Sequence, residues 1–120
     1  MRKPVEVEVV NTTKGTVLGS QVRVANSALA RMVGLLRHSG LDRGTGLLIE
    51  PSSGVHTIGM RFPIDVVALD RNRCVRGVWE ALAPFRLAAL SFRTRSVIEL
   101  PAGTIRESRT EVHDQLAIRN

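Results

Sequence analysis

The sequence predicts a mainly β (α+β) domain: a small barrel-like or rolled antiparallel sheet of about seven strands, with one helix near residues 27–38. Three observations lead there. Short runs rich in Val, Ile and Leu recur along the chain, each bounded by Gly, Pro, Asn, Asp or Ser. One stretch, 26–38, carries the spacing of an amphipathic helix. Most connections are too short for the crossover helices of a parallel α/β sheet, and closing or rolling the sheet disposes of its edges.

The elements follow in order. "VEVEVV" at 5–10 alternates strictly and reads as a first strand, with Val5, Val7 and Val9 inward and Glu6 and Glu8 outward. "NTTKGT" is a polar turn in which Gly15 is free to take a positive φ, and "VLGSQVRVA" is the returning strand of a hairpin. Asn26 is a good N-cap for the helix, whose apolar stripe is Leu29, Met32, Val33 and Leu36, and Gly40 is a plausible left-handed end. "DRGTG" makes a loop into "LLIE", a short strand stopped by Pro51.

Beyond Val55 the pattern is β again. "VHTIGM" precedes a break at Pro63, and "IDVVALD", the turn "RNR" and "CVRGVWEAL" form a second hairpin. Residues 84–93 fit neither period. "SVIELPAG" is a strand ended by Pro101 and Gly103, "TIRESR" a helical turn capped by Thr104, and "EVHDQLAI" a last strand.

Composition sets the class. A chain of 120 residues that is 43% hydrophobic and 23% charged fits a single domain over 1–120 with one core. The single cysteine, Cys74, excludes an internal disulfide and suits a reducing, cytoplasmic setting. The opening residues have neither the apolar run of a signal peptide nor the length of a membrane span, so no membrane association is expected. The net charge of +6 comes from 15 arginines and 2 lysines, and residues 61–95 carry seven of those arginines against Asp65, Asp70 and Glu80. Such a region attracts anions through its long-range field.

Several chemistries lack their motifs. His38, His56 and His113 are isolated, with no His-Glu-x-x-His or Cys-x-x-Cys pair, so no metal or cofactor is expected. No phosphate-wrapping glycine loop and no Gly-x-Ser-x-Gly elbow occurs. Phe62, Trp79, Phe85 and Phe92 show no aromatic–basic interleave for stacking bases.

The polar residues set among apolar ones are what remain. Asp65, inside "PIDVVAL", is costly to bury unless it meets Arg, His or backbone amides. Glu99 poses the same problem in "VIELPAG", where it shares a strand face with Val97. His56 has the donor, the acceptor and the titration range of a ligand-binding side chain. The ligand-binding candidates are His56, Thr57, Met60, Arg61, Asp65, Glu99 and Asp114, and the anion-binding candidates are Arg71, Arg73, Arg76, Arg86, Arg93 and Arg95.

"VHTIGMRFPIDVVALD", followed at a distance by "VIELPAG", resembles the signature of the domain of unknown function 192 family, also called uncharacterised protein family 0127. "RMVGLLR" at 31–37, the step Gly46, Leu47, Leu48, and the residues Met60, Pro63, Ile64 and Asp70 extend the resemblance over about residues 24–118. It implies a set of marked positions and no established activity. Gly54 and Val55 stand where many relatives carry a Cys or similar small residue, which argues against thiol chemistry, and His113–Asp114 replaces a common Gly-Asp.

These readings converge on a small soluble binding or accessory domain with a shallow polar site around His56 and Asp65, taking a small polar or anionic ligand or an acidic protein. Two alternatives stay open. One is a small enzyme using His56 with Asp65 or Glu99 as an acid–base pair. The other is a basic module that binds nucleic acid or an acidic protein weakly and non-specifically.

Overall fold

The computed structural model describes residues 5–25, 41–52, 55–56, 62–83, 87–88 and 91–120. Nine strands and one short helix lie in these segments: β1 (Glu6–Asn11), β2 (Thr16–Ala25), β3 (Thr45–Ile49), β4 (Val55–His56), β5 (Ile64–Leu69), β6 (Val75–Leu82), β7 (Leu87–Ala88), β8 (Ser96–Pro101), α1 (Thr104–Ser108) and β9 (Leu116–Arg119). Seven strands form one curled sheet in the order β6-β5-β8-β3-β2-β1-β9, and β4 pairs with β7 in a separate ribbon. The mainly β, rolled architecture read from the sequence is therefore the one observed. The helix expected near 27–38, with its Asn26 and Gly40 ends, lies outside the described residues.

The sheet is mixed where an antiparallel one was expected. β2 and β3 run parallel, with Val22 opposite Gly46 and Ala25 opposite Ile49. Residues 26–44 are long enough for the crossover that parallel neighbours require, while the other pairings of this sheet are antiparallel.

Curling brings the two edges of the sheet together. Cys74 and Gln115 form a β-bridge, Leu116 N–H donates to the Arg73 carbonyl (3.0 Å), Val75 N–H to that of Asp114 (2.9 Å), and His113 N–H to that of Val75 (2.9 Å). Backbone groups that an open edge leaves unpaired are satisfied at this seam.

The concave face holds the main core. Val9, Val22, Leu48, Val67, Leu69, Val75, Ile98, Leu100 and Leu116 come from all seven strands, and Ile105 of α1 plugs one end. Each such side chain, fully buried, contributes roughly 1.5–3 kcal/mol. The central strands carry a second apolar set on the opposite face: Leu47, Ile49, Ile64, Val66, Ala68 and Val97, with Phe62, Trp79 and Leu82 packed on it. Every residue of β5 and β8 is buried, so alternation there separates two cores rather than core from water.

Three local expectations change. Val5 is 59% exposed while Val7 and Val9 are buried, and register shifts after Val7 and Val9 bring Val10 and Asn11 inward as well. α1 is preceded by Gly103 in the left-handed region, and Thr104 makes no cap because it is already the first helical residue. The last strand starts at Leu116, since Glu111–Asp114 forms a turn with His113 at φ 81 and Asp114 N–H bonded to the Glu111 carbonyl. Of residues 84–93, Leu87 and Ala88 pair with His56 and Val55, Phe92 and Arg93 form a turn, and 84–86 and 89–90 lie outside the described residues.

Candidate functional site

The three central strands position the candidate residues in rows. Asp65 stands opposite Leu100, Val66 opposite Glu99 and Leu47 opposite Glu99, so the sequence of faces is fixed by register. Leu100 belongs to the concave core, while Leu47 and Val66 belong to the opposite set. Asp65 and Glu99 therefore point to opposite faces of the sheet, although both are fully buried. The register does not let them share one acid–base site, and Asp114 lies elsewhere, in the turn before β9.

Asp65 is engaged by backbone alone. Its Oδ1 accepts from Ala81 N–H (2.8 Å), and its Oδ2 from Gly103 N–H (3.1 Å) and Ile105 N–H (2.8 Å). Between Ile64/Leu82 and Val66/Trp79 the pairing spans two steps on β5 and three on β6, a bulge that leaves Ala81 N–H outside the ladder. Gly103 and Ile105 supply the N–H groups that the start of a helix leaves without partners. One carboxylate thus fastens a bulge and a helix start, doing for α1 what a side chain at its own N-cap does elsewhere.

Asp114 is held by a mixed set. Asn11 Nδ2 (2.9 Å), Lys14 Nζ (2.8 Å) and Glu111 N–H (3.0 Å) all donate to its Oδ2. Burial pushes its carboxyl up, but Asn11, Lys14 and Glu111 together outweigh that and hold it below the usual carboxylate range. The same contacts, with Asp114 and then Glu111, hold the Lys14 ammonium above its ordinary value. This cluster ties the β1–β2 turn to the turn before β9.

His56 lies on β4 opposite Leu87. Its side chain, like Thr57, Met60, Arg61 and Arg86, lies outside the described residues. Arg76 is exposed on β6, and Arg93 stacks its guanidinium 5.6 Å from the centre of the Phe92 ring. That contact is an aromatic–basic pair of the kind not recognised in the sequence.

Arg71, Arg73 and Arg95 do converge. They line an open cleft of about 430 Å³ with Glu50 and Ser96, where β3 ends, β8 begins and the β5–β6 turn closes. Glu50 accepts a forked pair from Arg73 and a hydroxyl bond from Ser96. Arg71 and Arg95 are exposed. The main chain around them is well anchored: Arg95 N–H donates to the Leu69 carbonyl (2.8 Å), the Arg95 carbonyl accepts from Ser52 N–H (2.9 Å), and Asp70 Oδ1 accepts from Asn72 and Cys74 N–H (2.8 and 3.0 Å). Three arginines line the cleft with one carboxylate, a surplus of positive charge at the strand ends. A smaller hollow of about 410 Å³ adjoins through Arg95, lined also by Pro51, Ser52 and Thr94.

Glu50, Ser96 and Thr94 were not recognised in the sequence, because nothing local marks residues whose role comes from register. The available signal was the placement of Arg71, Arg73 and Arg95 at strand ends beside turn residues. Among the described residues no group of three His, Cys, Asp or Glu side chains is arranged to hold a metal ion, and no helix is long and apolar enough to cross a membrane.

A UPF0127 protein of Pyrococcus furiosus is 30% identical over 111 residues, covering 88% of this chain and 93% of its own length. A protein of unknown function from Novosphingobium aromaticivorans superposes with a TM-score of 0.74 at 20% identity, over 95% of this chain and 84% of that one. A putative transcription regulator from Sinorhizobium meliloti gives 0.76 at 18% identity, over 98% and 97%. The family profile matches residues 9–118, taking in most of the first hairpin as well as the region from residue 24 onward, and with it the chain belongs to the domain of unknown function 192 family, Uncharacterized ACR.

Proposed function

We propose that the protein is a binding or accessory domain for a small anionic ligand, held in the Arg71–Arg73–Arg95 cleft. The observation that carries this reading is that three arginines, brought from the β5–β6 turn and the start of β8, line one cleft whose lining holds the single carboxylate Glu50. Guanidinium groups recognise phosphate and carboxylate through paired N–H donors, and a pre-organised main chain lowers the ordering cost of binding. Glu50 orients Arg73 and leaves Arg71 and Arg95 to the ligand. The complete engagement of Asp65 by backbone N–H groups favours a scaffold role for it over that of a general acid.

An amide chemical-shift titration with inorganic phosphate tests the proposal. Shifts confined to residues 71–73 and 95–96, with a Kd near 1 mM or tighter, and their loss in the double variant Arg71→Ala, Arg95→Ala, are expected. Shifts scattered over the surface, or retained in that variant, would overturn it.

A further inference from the structure

The cleft is entered from a turn with unusual contents. Ser91-Phe92-Arg93-Thr94 folds back through Thr94 N–H to the Ser91 carbonyl (3.1 Å) and Arg93 N–H to Ser91 Oγ (3.1 Å). Its next residue, Arg95, forms the wall shared by the two hollows. Phe92 is 92% exposed. A single exposed apolar residue is ordinary on a protein surface. Phe92 differs in its setting, because the Arg93 guanidinium lies against its ring and the turn leads directly into the arginine cleft.

This arrangement matches the chemistry of an unpaired base on a phosphate chain. Aromatic side chains stack bases whatever their identity, arginines add cation–π and phosphate contacts, and a basic groove tracks the backbone. One phosphate fits the cleft at Arg71 and Arg95. Arg93 lies outside that cleft, at the turn tip, and so has a second phosphate to meet, which favours an oligomer over a mononucleotide. The chain's net charge of +6 supports the same partner.

We infer that this face binds single-stranded nucleic acid, with a phosphate in the Arg71–Arg95 cleft and a base stacked on Phe92. The inference rests on the anion cleft proposed above and names its ligand. Stacking selects single strands, since duplex bases are already stacked on one another, and it carries little preference among sequences.

Fluorescence anisotropy with a labelled short oligothymidylate, an abasic deoxyribose-phosphate oligomer of the same length and a duplex tests it. The oligothymidylate is expected to bind about tenfold tighter than the abasic oligomer, and Phe92→Ala to bring that ratio close to one. Arg95→Ala should weaken both ligands together. With two phosphates neutralised, the logarithm of affinity should fall against the logarithm of salt with a slope of about −1.4. Equal binding of the two oligomers, a ratio unchanged by Phe92→Ala, equal affinity for thymidine 5′-phosphate, or tighter binding of the duplex would overturn the inference. Competition by inorganic pyrophosphate separates the two levels. If pyrophosphate displaces the abasic oligomer while the base contributes nothing, the stacking inference falls and the cleft reading stands. If pyrophosphate fails to bind, both fall.

Discussion

The three central strands end very differently. At the end where β5 begins, Asp65 brings a negative charge into the concave core, and three backbone N–H groups consume it entirely. At the other end, Glu50 is met by Arg73 and Ser96, yet Arg71 and Arg95 remain over, facing solvent. The same sheet therefore carries a closed polar site and an open one. What separates them is the kind of partner. Backbone donors come in fixed number and position, so a carboxylate matched to them has no charge to offer a ligand, whereas exposed arginines keep donors that a ligand can take.

Removing the closed site should give the largest effect. Asp65→Ala leaves three N–H groups without their acceptor at a bulge and a helix start, and should lower stability by about 3 kcal/mol or more. That corresponds to a fall of roughly 10 °C in Tm. Asp65→Asn keeps one acceptor oxygen but turns a donor toward donors, and should cost about 2 kcal/mol. Urea and thermal melts measure both, and a Tm within a degree of wild type would break the comparison.

Asp114 is intermediate, a buried carboxylate answered partly by backbone and partly by Lys14 and Asn11. Its carboxyl is held below the ordinary value in the folded state, so its contribution is present above the unfolded pKa of about 3.9 and is lost as pH falls through the folded one. Stability should therefore decline below about pH 4 in the wild type. Asp114→Asn should lower stability by about 1–2 kcal/mol near neutrality and flatten that acid limb. Urea melts across this pH range decide it; an acid limb as steep in the variant would assign the pH dependence to other carboxyls.

The smallest stability change belongs to the open end. Glu50 and Arg73 keep 29% and 33% of their side-chain surface exposed, so Glu50→Gln should cost no more than about 1 kcal/mol. It also removes the negative charge from the cleft, and phosphate affinity should rise severalfold. Weaker phosphate binding in this variant would show that Glu50 matters more as the orienter of Arg73 than as a competing charge.

How much of this was legible beforehand follows from the range of each interaction. The hairpins were readable because "NTTKGT" and "RNR" encode turns locally, and the central strands because their apolar runs are bounded by Pro and polar residues. That Asp65 needed Arg, His or amides followed from the cost of burial. Which of these it found did not, because Ala81 becomes available only through a bulge and Gly103 only after β8 has been placed beside β5. The parallel pairing of β2 and β3 was likewise hidden, being a matter of which strand lies beside which. The conformation of residues 91–93 stayed undecided for the opposite reason: "SFRTR" shows its aromatic and its arginines plainly, but their exposure depends on a turn that neither strand nor helix periodicity encodes.

The seam at Cys74 and Gln115 bears on when the molecule can become whole. β1 takes β9 as its neighbour, with Val9 opposite Ile118, and β9 together with the turn before it supplies the contacts that join the start of β6 to the far edge. A ribosome that has made the first hairpin needs roughly 5–20 s more to reach these residues. Until then one flank of β1 has no partner and the start of β6 no companion across the gap. Pairings so distant in sequence are slow to form even in a finished chain. The last strand thus acts as a latch, and the nascent protein is most open to proteases and to mispairing just before it arrives.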